Sequence, residues 1–120
     1  MSWLSEPREE VPVDANLPRP VADYFSATNA HDVAAMSAPF AEDAVVKDEG
    51  REHRGLEAIR EWMRETIRKY DVRVEPMDVR EADGSAVVTG RVSGTFPGSP
   101  ITLRYRFAFD GHGISRLEIG

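Results

Sequence analysis

The sequence predicts an α+β domain in which three helices cover one face of a curved antiparallel sheet. Up to residue 70 the longest apolar patterns have the three-to-four-residue spacing of helices, whereas from residue 72 onward apolar and polar residues alternate as in strands. Helices segregated in this way from an antiparallel sheet are typical of α+β proteins. Gly90 and Gly94 would let the long strands curl, so we expect a cone with an apolar interior.

Size and composition restrict the possible functions. The chain has 120 residues, enough for one domain with one core, and 41% of them are hydrophobic. It contains no cysteine, which excludes disulfides, thiol nucleophiles and thiolate metal sites. The net charge of −6 argues against nucleic acid as a partner, because phosphate binding needs a basic surface. Neither a membrane-spanning apolar run nor a secretory signal is visible, so we expect a cytoplasmic protein without membrane contact.

The N-terminal segment is predicted to lie outside the folded domain. Residues 1–16 contain four acidic residues and one arginine, and two prolines interrupt regular structure there. We therefore interpret 1–16 as an acidic tail and 17–120 as the domain.

Two helices are predicted before the first strand. The first starts after Pro18 and carries apolar residues at helical spacing, namely Val21, Tyr24 and Phe25. Residues 29–32 break this helix, and Asp32 is placed to cap a second, short helix that Pro39 ends.

A short strand, a turn and the clearest helix of the chain follow. Residues 44–48 have strand character and Gly50 marks a turn. After Gly55, one apolar stripe at helical spacing predicts a long amphipathic helix; its residues are Leu56, Ile59, Trp62, Met63, Ile67 and Tyr70.

The rest of the chain is predicted to form four strands in an antiparallel meander. The first begins at Val72, and its alternation slips at Pro76, which indicates a bulge or bend. Asp83-Gly84 marks a hairpin turn. The next strand has one face formed by Ala86, Val88, Gly90, Val92, Gly94 and Phe96. The last two strands are predicted at 101–109 and 114–119, after turns at 97–100 and 110–113.

Four segments carry a family resemblance: VADYFSATNAHD (21–32), PFAEDAVVKDEGREHRG (39–55), EAIREWMRETIRKY (57–70) and TLRYRFAFDGHGISRLEI (102–119). They resemble the nuclear transport factor 2-like (NTF2-like) superfamily and, within it, the SnoaL-like and ketosteroid-isomerase-like group. The resemblance extends from Leu17 to residue 120 and implies a cone-shaped fold, a curved antiparallel sheet wrapped by three helices around an apolar cavity. Such a fold hosts isomerases, cyclases, dehydratases, epoxide hydrolases and non-catalytic binders, so it leaves the activity open.

The resemblance also implies roles for three positions. Ketosteroid isomerases have a tyrosine five residues before an Asn-Ala-x-Asp break, and Tyr24 has that spacing before Asn29. Their general-base aspartate ends the first strand in an Ala-x-Val-x-Asp context, which Asp48 matches. Their second oxyanion donor is a protonated aspartate two residues before a Phe-x-Phe, and here that position holds the bulkier Tyr105, which takes space that a flat steroid would need.

Asp48 is the first catalytic candidate on chemical grounds as well. A carboxylate at a strand end that faces an apolar interior has a raised pKa and can take a proton from carbon beside a carbonyl, or activate water. If Gly50 and Arg51 are the central residues of a tight hairpin, Asp48 pairs with His53 and the two form an acid–base dyad. Alternatively, Asp48 faces solvent beside the turn and His53 is a solvated surface residue.

The tyrosines and the apolar residues are candidates for the walls of the site. Tyr24 and Tyr105 can each present a phenol hydroxyl to a developing oxyanion, or they are core tyrosines whose hydroxyls meet backbone carbonyls. The apolar candidates are core residues first and ligand contacts second. The predicted ligand-binding residues are Phe25, Phe40, Val46, Trp62, Met63, Leu103, Tyr105 and Phe107.

The expected partners are a small hydrophobic molecule and a second copy of the chain, with no metal and no cofactor. The three histidines lack metal-site spacing, and glycine motifs that bind nucleotides are missing. The predicted outer face of the sheet carries Thr89, Arg91, Thr102, Arg104 and Arg106 around Val87. Proteins that resemble this family often dimerise through that face, and an aliphatic residue among polar groups favours a homodimer over a solvated face.

Two functions remain open, besides the possibility that side chains fill the interior and that the surface of the domain carries the function. The first is a cofactor-independent enzyme that binds a small carbonyl compound in the cone, with Asp48 as general base, paired with His53, and Tyr24 as oxyanion donor. The resemblance implies a ketosteroid-isomerase-like isomerisation or a polyketide-cyclase-like lyase reaction with aldol-type ring closure. The second is a non-catalytic module that binds a ligand in the cone or a protein on the open sheet, and Tyr105 in place of the late-strand acid favours it.

Overall fold

The computed structural model describes residues 17–120 as three helices and a six-stranded, curved and unclosed sheet. In chain order the elements are α1 (Arg19–Asn29), α2 (Val33–Ser37), β1 (Phe40–Asp48), β2 (Arg51–Arg54), α3 (Leu56–Tyr70), β3 (Arg73–Ala82), β4 (Ser85–Ser93), β5 (Ile101–Asp110) and β6 (Gly113–Ile119). The predicted acidic tail, 1–16, lies outside the described residues. Within the described part, no helix is long and apolar enough to cross a membrane.

The strand order in the sheet is β2-β1-β6-β5-β4-β3. Strands β3 to β6 form the predicted antiparallel meander, and β1 with β2 forms an antiparallel hairpin. The hairpin joins the meander through a parallel pairing of β1 with β6. As a result, the C-terminal ends of β1 and β6 lie side by side at one edge of the cone.

The two short helices begin and end where the local sequence predicts. Pro18 and the proline in the first turn start α1, where a missing N–H costs nothing. The Asp32 side chain accepts a 3.1 Å hydrogen bond from the backbone N–H of Ala35 and so caps α2 as predicted. His31, between the helices, bonds through Nε2 to the carbonyl oxygen of Val72 at 2.9 Å and thereby ties this turn to the start of β3.

Helix α3 lies on the sheet through its apolar stripe. Ile59, Trp62 and Met63 are its buried residues. Asp71 ends the helix in a left-handed conformation and donates its N–H to the carbonyl oxygen of Ile67 at 2.8 Å. The predicted helix is therefore confirmed over its whole length.

Two strand boundaries differ from the predicted ones by more than one residue. Strand β1 begins at Phe40 instead of Ala44, because Phe40 pairs with Ile114 on β6 before an irregularity in the ladder shifts the register. Strand β4 ends at Ser93, so Gly94 and Phe96 lie in a loop rather than on the sheet. A Cβ at Gly94 would clash with the carbonyl oxygen of Tyr70, so the chain passes close to the end of α3 there.

Aromatic rings fill the closed end of the cone. Phe107 is 2% exposed and makes edge contacts with Tyr24 and Phe25, with ring centroids 5.9 Å apart in both cases. Phe25 in turn packs edge-on against Tyr105 at 5.0 Å. Such tilted and edge-to-face arrangements suit the ring quadrupoles and set the positions of both tyrosine rings.

The outer face of the sheet is polar and partly paired by charge. Glu118 lies 3.8 Å from both Lys47 and Arg116, and Arg116 also lies 3.8 Å from Glu52. Val87 is half-buried on this face and pairs across strands with Arg106. The homodimer through this face stays a prediction.

Candidate functional site

A row across three neighbouring strands places the candidate base and a phenol in one cavity. Asp48 on β1 pairs with Ile119 on β6, and Ile119 pairs with Tyr105 on β5. Paired residues point to the same face of a sheet, and adjacent strands lie about 4.8 Å apart. The α-carbons of Asp48 and Tyr105 are therefore about 10 Å apart with both side chains on the concave face.

The predicted pairing of Asp48 with His53 is wrong, because the turn of the hairpin lies one residue earlier in the chain than predicted. The hairpin turn is Glu49-Gly50, not Gly50-Arg51, so that Asp48 pairs with Arg51 and His53 pairs with Val46. Both turn residues have positive φ, 53° and 76°, as the tight turn that matches strand twist requires. Sequence reasoning missed this turn because glutamate is an unusual residue at a left-handed position.

Trp62 is the hydrogen-bond partner that Asp48 has instead of a histidine. The indole Nε1–H donates to Asp48 Oδ2 over 3.0 Å. Burial raises the pKa of the Asp48 carboxyl, and the Trp62 hydrogen bond partly offsets this increase. The charge of Glu49 raises the same pKa, whereas His53 lowers it.

His53 lies near Asp48 without pairing with it directly. Its ring packs against Trp62 with centroids 5.9 Å apart and planes inclined by 30°. The indole therefore contacts the carboxylate through its N–H and the imidazole through its ring. In place of the predicted dyad of Asp48 and His53, the structure has three side chains, in which Trp62 contacts both Asp48 and His53.

Tyr24 and Tyr105 are both buried, at 3% and 4% exposure. Burial raises the pKa of Tyr24 well above its usual value, and neighbouring Tyr105 and Asp48 raise it further. Burial and then Asp48 raise the pKa of Tyr105. Both phenols therefore keep their protons at neutral pH and can donate a hydrogen bond to a ligand oxygen.

A cavity of about 380 Å³ connects these groups. The polar groups in its lining are few and include Tyr24, Thr28, Asp48, Thr66 and Tyr105. Most of the remaining lining is apolar or aromatic and includes Met36, Trp62, Met63, Ile67, Tyr70, Val72, Val74, Val92, Phe96, Ile101, Leu103 and Ile119. Small-molecule sites commonly have this combination of apolar walls and a few polar groups.

The exposure of side chains along β5 indicates at which end the cavity opens. Ile101 is 39% exposed, Leu103 is half-buried, Tyr105 is 4% exposed and Phe107 is 2% exposed, all on the concave face. Four residues of strand span about 13 Å. The cavity therefore runs from an apolar mouth at Ile101 to a polar floor at Tyr105, and Phe107 closes the cone beneath it.

The structure divides the predicted ligand-binding residues into two groups. Trp62, Met63, Leu103 and Tyr105 line the cavity. The other four are absent from its lining and belong to the hydrophobic core; they are Phe25, Phe40, Val46 and Phe107. These four residues have the same apolar periodicity as the lining residues. The sequence pattern therefore cannot distinguish a residue that lines the cavity from one that is packed in the core.

Several lining residues were missed by sequence reasoning. Ile67 and Tyr70 continue the apolar stripe of α3 toward its C-terminal end, and Ile101 starts the alternation of β5, so their patterns were visible. Phe96 had no usable signal, because it was assigned to a strand. It contacts Tyr70 edge-on at 5.8 Å, and Thr95 N–H donates to the Tyr70 carbonyl oxygen at 2.8 Å.

A second depression adjoins the cavity on the side of the hairpin turn. This groove, of about 520 Å³, shares Asp48, Glu49, Trp62, Thr66 and Tyr70 with the cavity. Its other lining residues are mostly charged or polar: Arg51, His53, Ala58, Glu61, Glu65 and Lys69. Among residues 17–120, no group of three or more histidine and acidic side chains is placed to hold a metal ion.

Comparisons with known proteins agree with the fold. A family model described as a SnoaL-like domain matches residues 21–118. A proposed polyketide cyclase from Sinorhizobium meliloti is 41% identical, with 89% of this chain and 98% of that chain covered and a TM-score of 0.86. No significant match was found among curated protein sequences.

Two more distant structures share the fold. A protein with a ketosteroid isomerase-like fold from Catenulispora acidiphila, in complex with trimethylamine, is 20% identical over 86% of this chain and 85% of that chain, with a TM-score of 0.76. SalBIII, an epoxide hydrolase/cyclase-like enzyme of pyran ring formation in salinomycin, is 23% identical over 83% and 85%, with a TM-score of 0.73.

Proposed function

The chain belongs to the SnoaL-like family, and we propose that it binds a small apolar carbonyl compound and removes a proton from the carbon beside the carbonyl. The observation that carries this proposal is the floor of the cavity, where one carboxyl with a raised pKa lies near two protonated phenols. Pairs of titratable groups whose surroundings change their pKa values in this way are frequent at catalytic sites.

Each of these three groups has a role in the proposed reaction. The Asp48 carboxylate takes the α-proton, and its raised pKa makes the ionised form a stronger base than an ordinary aspartate. The C–H electron pair forms the enolate, whose oxygen accepts hydrogen bonds from Tyr24 and Tyr105. In a substrate with a β,γ-double bond the dienolate takes the proton back from Asp48 at the γ-carbon, which is isomerisation. In a substrate with a second carbonyl the enolate carbon attacks that carbonyl and the resulting alkoxide takes the proton from Asp48, which is aldol ring closure.

The direction of the cavity constrains the substrate. Because the polar groups lie at the floor and the mouth is apolar, the carbonyl enters first and an apolar part fills the space toward Ile101. The bulky Tyr105 ring in the lining takes space that a flat steroid would need, which favours a single-ring or open-chain compound. The name of the relative from Sinorhizobium meliloti, a proposed polyketide cyclase, supports the choice of carbonyl chemistry.

The test is exchange of α-protons on a probe ketone. Phenylacetone in D₂O loses its α-proton signals in proton NMR as deuterium replaces them, and the protein should accelerate this loss. Asp48→Asn should reduce the acceleration about 10²–10⁴-fold, which is the usual contribution of a general base. Tyr24→Phe and Tyr105→Phe should each reduce it about 10²–10³-fold, as the loss of an oxyanion donor does.

Asp43→Asn is the matched control, because Asp43 lies on the same strand with its side chain exposed. It should exchange the probe at the rate of the unchanged protein. Equal exchange by Asp48→Asn and the unchanged protein would refute the mechanism.

The second candidate function is a non-catalytic binder of a hydrophobic molecule. The apolar lining favours it, since binding needs only the walls of the cavity and no ionised base. Saturable shifts of the amide signals of cavity residues on adding phenylacetone, without any exchange, would select this candidate over the enzyme.

A further inference from the structure

Trp62 forms part of the wall between the apolar cavity and the charged groove. Its side chain lines both compartments and the residue is 8% exposed. Asp48 also borders both. The groove is lined mostly by charged and polar side chains, whereas most of the cavity lining is apolar. Asp48 therefore lies at the boundary between an apolar compartment and a charged one.

The Trp62 hydrogen bond restricts the carboxylate. The indole N–H is a donor only, and it occupies Oδ2 of Asp48 at 3.0 Å. Trp62 lies on α3 and Asp48 at the end of β1, so the bond joins a helix to a strand end beside a tight turn. The indole thus fixes one carboxylate oxygen, and a hydrogen bond from the Glu49 backbone also stabilises the charged carboxylate.

The indole itself is held on a second side. The His53 ring on β2 packs against it at 5.9 Å between centroids. Met63, the next residue of α3, is fully buried and keeps this turn of the helix against the sheet. The indole therefore has little freedom to rotate away from Asp48.

We propose that Trp62 is a positioning residue that holds the Asp48 carboxylate in place and limits its contact with the water of the groove. The proposal rests on the proposed function only in giving Asp48 the role of base. Its two parts, the hydrogen bond and the wall, are separable because different substitutions remove them.

Two variants at this position should change the Asp48 pKa in opposite directions. Trp62→Phe keeps an aromatic wall but removes the N–H that stabilises the charged carboxylate, so the pKa should rise above that of the unchanged protein. Trp62→Ala removes the wall as well and admits water, so relief of desolvation should lower the pKa toward that of an ordinary aspartate. The measurement is the pH titration of the Asp48 carboxyl carbon by ¹³C NMR, with Asp48→Asn used to assign the signal.

A second readout uses the fluorescence of Trp62. The chain has two tryptophans, so a Trp3→Phe background leaves Trp62 as the sole emitter. Its emission should titrate with the pKa of Asp48, and Asp48→Asn should abolish that titration. Arg68→Lys is the control on α3: Arg68 is exposed, lines neither compartment and keeps its charge in this variant, so the Asp48 pKa should not change.

In the phenylacetone assay, Trp62→Phe should lower the maximal exchange rate about tenfold to a hundredfold, with half-saturation little changed, as misplaced catalytic groups do. Equal Asp48 pKa values in the unchanged protein, Trp62→Phe and Trp62→Ala would overturn the positioning role. If the protein exchanged no probe at all, the proposed function would fail, while the NMR titrations would still decide the role of Trp62.

Discussion

Tyr105 lies against Gly90 on the concave face of the sheet. A Cβ on Gly90 would come within 3.2 Å of Cε1 of the Tyr105 ring and within 3.0 Å of Cγ1 of Val74. Gly90 belongs to β4, where it pairs with Leu103, and Tyr105 lies one step deeper in the cone. The missing side chain at position 90 therefore makes room for the phenol ring of Tyr105.

Gly90→Ala is expected to disturb the site more than the fold. The added methyl group must displace the Tyr105 ring or Val74, an overpacking that costs about 1–3 kcal/mol of unfolding free energy. Displacement of the ring into the cavity should also weaken phenylacetone binding. Urea unfolding and NMR titration with the probe measure the two effects. Gly111→Ala is the control, since a Cβ there meets nothing within 4 Å and should leave both values unchanged.

Asp48→Asn is expected to raise stability at neutral pH and not at acid pH. The folded-state pKa of Asp48 is raised above the unfolded value, so its neutral form contributes stability below the unfolded pKa, and this contribution is lost as pH rises through the folded pKa. Asparagine stays neutral and its amide oxygen can still accept from Trp62. Thermal unfolding at about pH 7 should therefore show a midpoint a few degrees higher than that of the unchanged protein, with no gain near pH 3.

The exposed Asp43 again provides the comparison for this prediction. Asp43→Asn should shift the unfolding midpoint little at either pH, because the side chain is exposed and substitutions at such surface positions change stability little. An Asp48→Asn variant that is less stable than the unchanged protein at neutral pH would contradict the desolvated site.

Phe107→Ala and Phe96→Ala should separate the core from the mouth of the cavity. Phe107 is 2% exposed and contacts several rings, so its truncation should cost about 3–5 kcal/mol. Phe96 is half-buried in the loop after β4, and its truncation should cost about 1 kcal/mol while weakening probe binding. Urea unfolding with and without phenylacetone gives both quantities. Similar losses of unfolding free energy in the two variants would mean that Phe107 does not close the cone beneath the cavity.

Two substitutions of Glu49 should distinguish its charge from its backbone. Both Glu49→Gln and Glu49→Asn remove the negative charge that raises the Asp48 pKa, so both should lower that pKa in a ¹³C titration. Only asparagine suits the left-handed conformation, φ 53°, and should add about 0.5 kcal/mol of stability in thermal unfolding. Equal stability of the two variants would show that the turn carries no strain at this residue.

The helices and the four-strand meander could be predicted because their signals are local. The apolar stripe from Leu56 to Tyr70 has the period of a helix, and the alternation from Ile101 to Phe109 has the period of a strand. The turn of the first hairpin could not be read in this way, since the residue types at positions 49–51 allow two registers. Register decides whether His53 opposes Asp48 or Val46, and only the pairing of whole strands settles it.

The sequence by itself determined the class of fold, the presence of a carboxylate at a strand end, and the two tyrosines at helix and strand positions with apolar neighbours. The tertiary structure alone decided which groups meet. The parallel pairing of β1 with β6 brings Asp48 to within two strands of Tyr105, and the packing of α3 brings the Trp62 N–H to the carboxylate. These contacts join residues far apart in the chain, and their geometry follows from the packing of whole elements rather than from any local pattern.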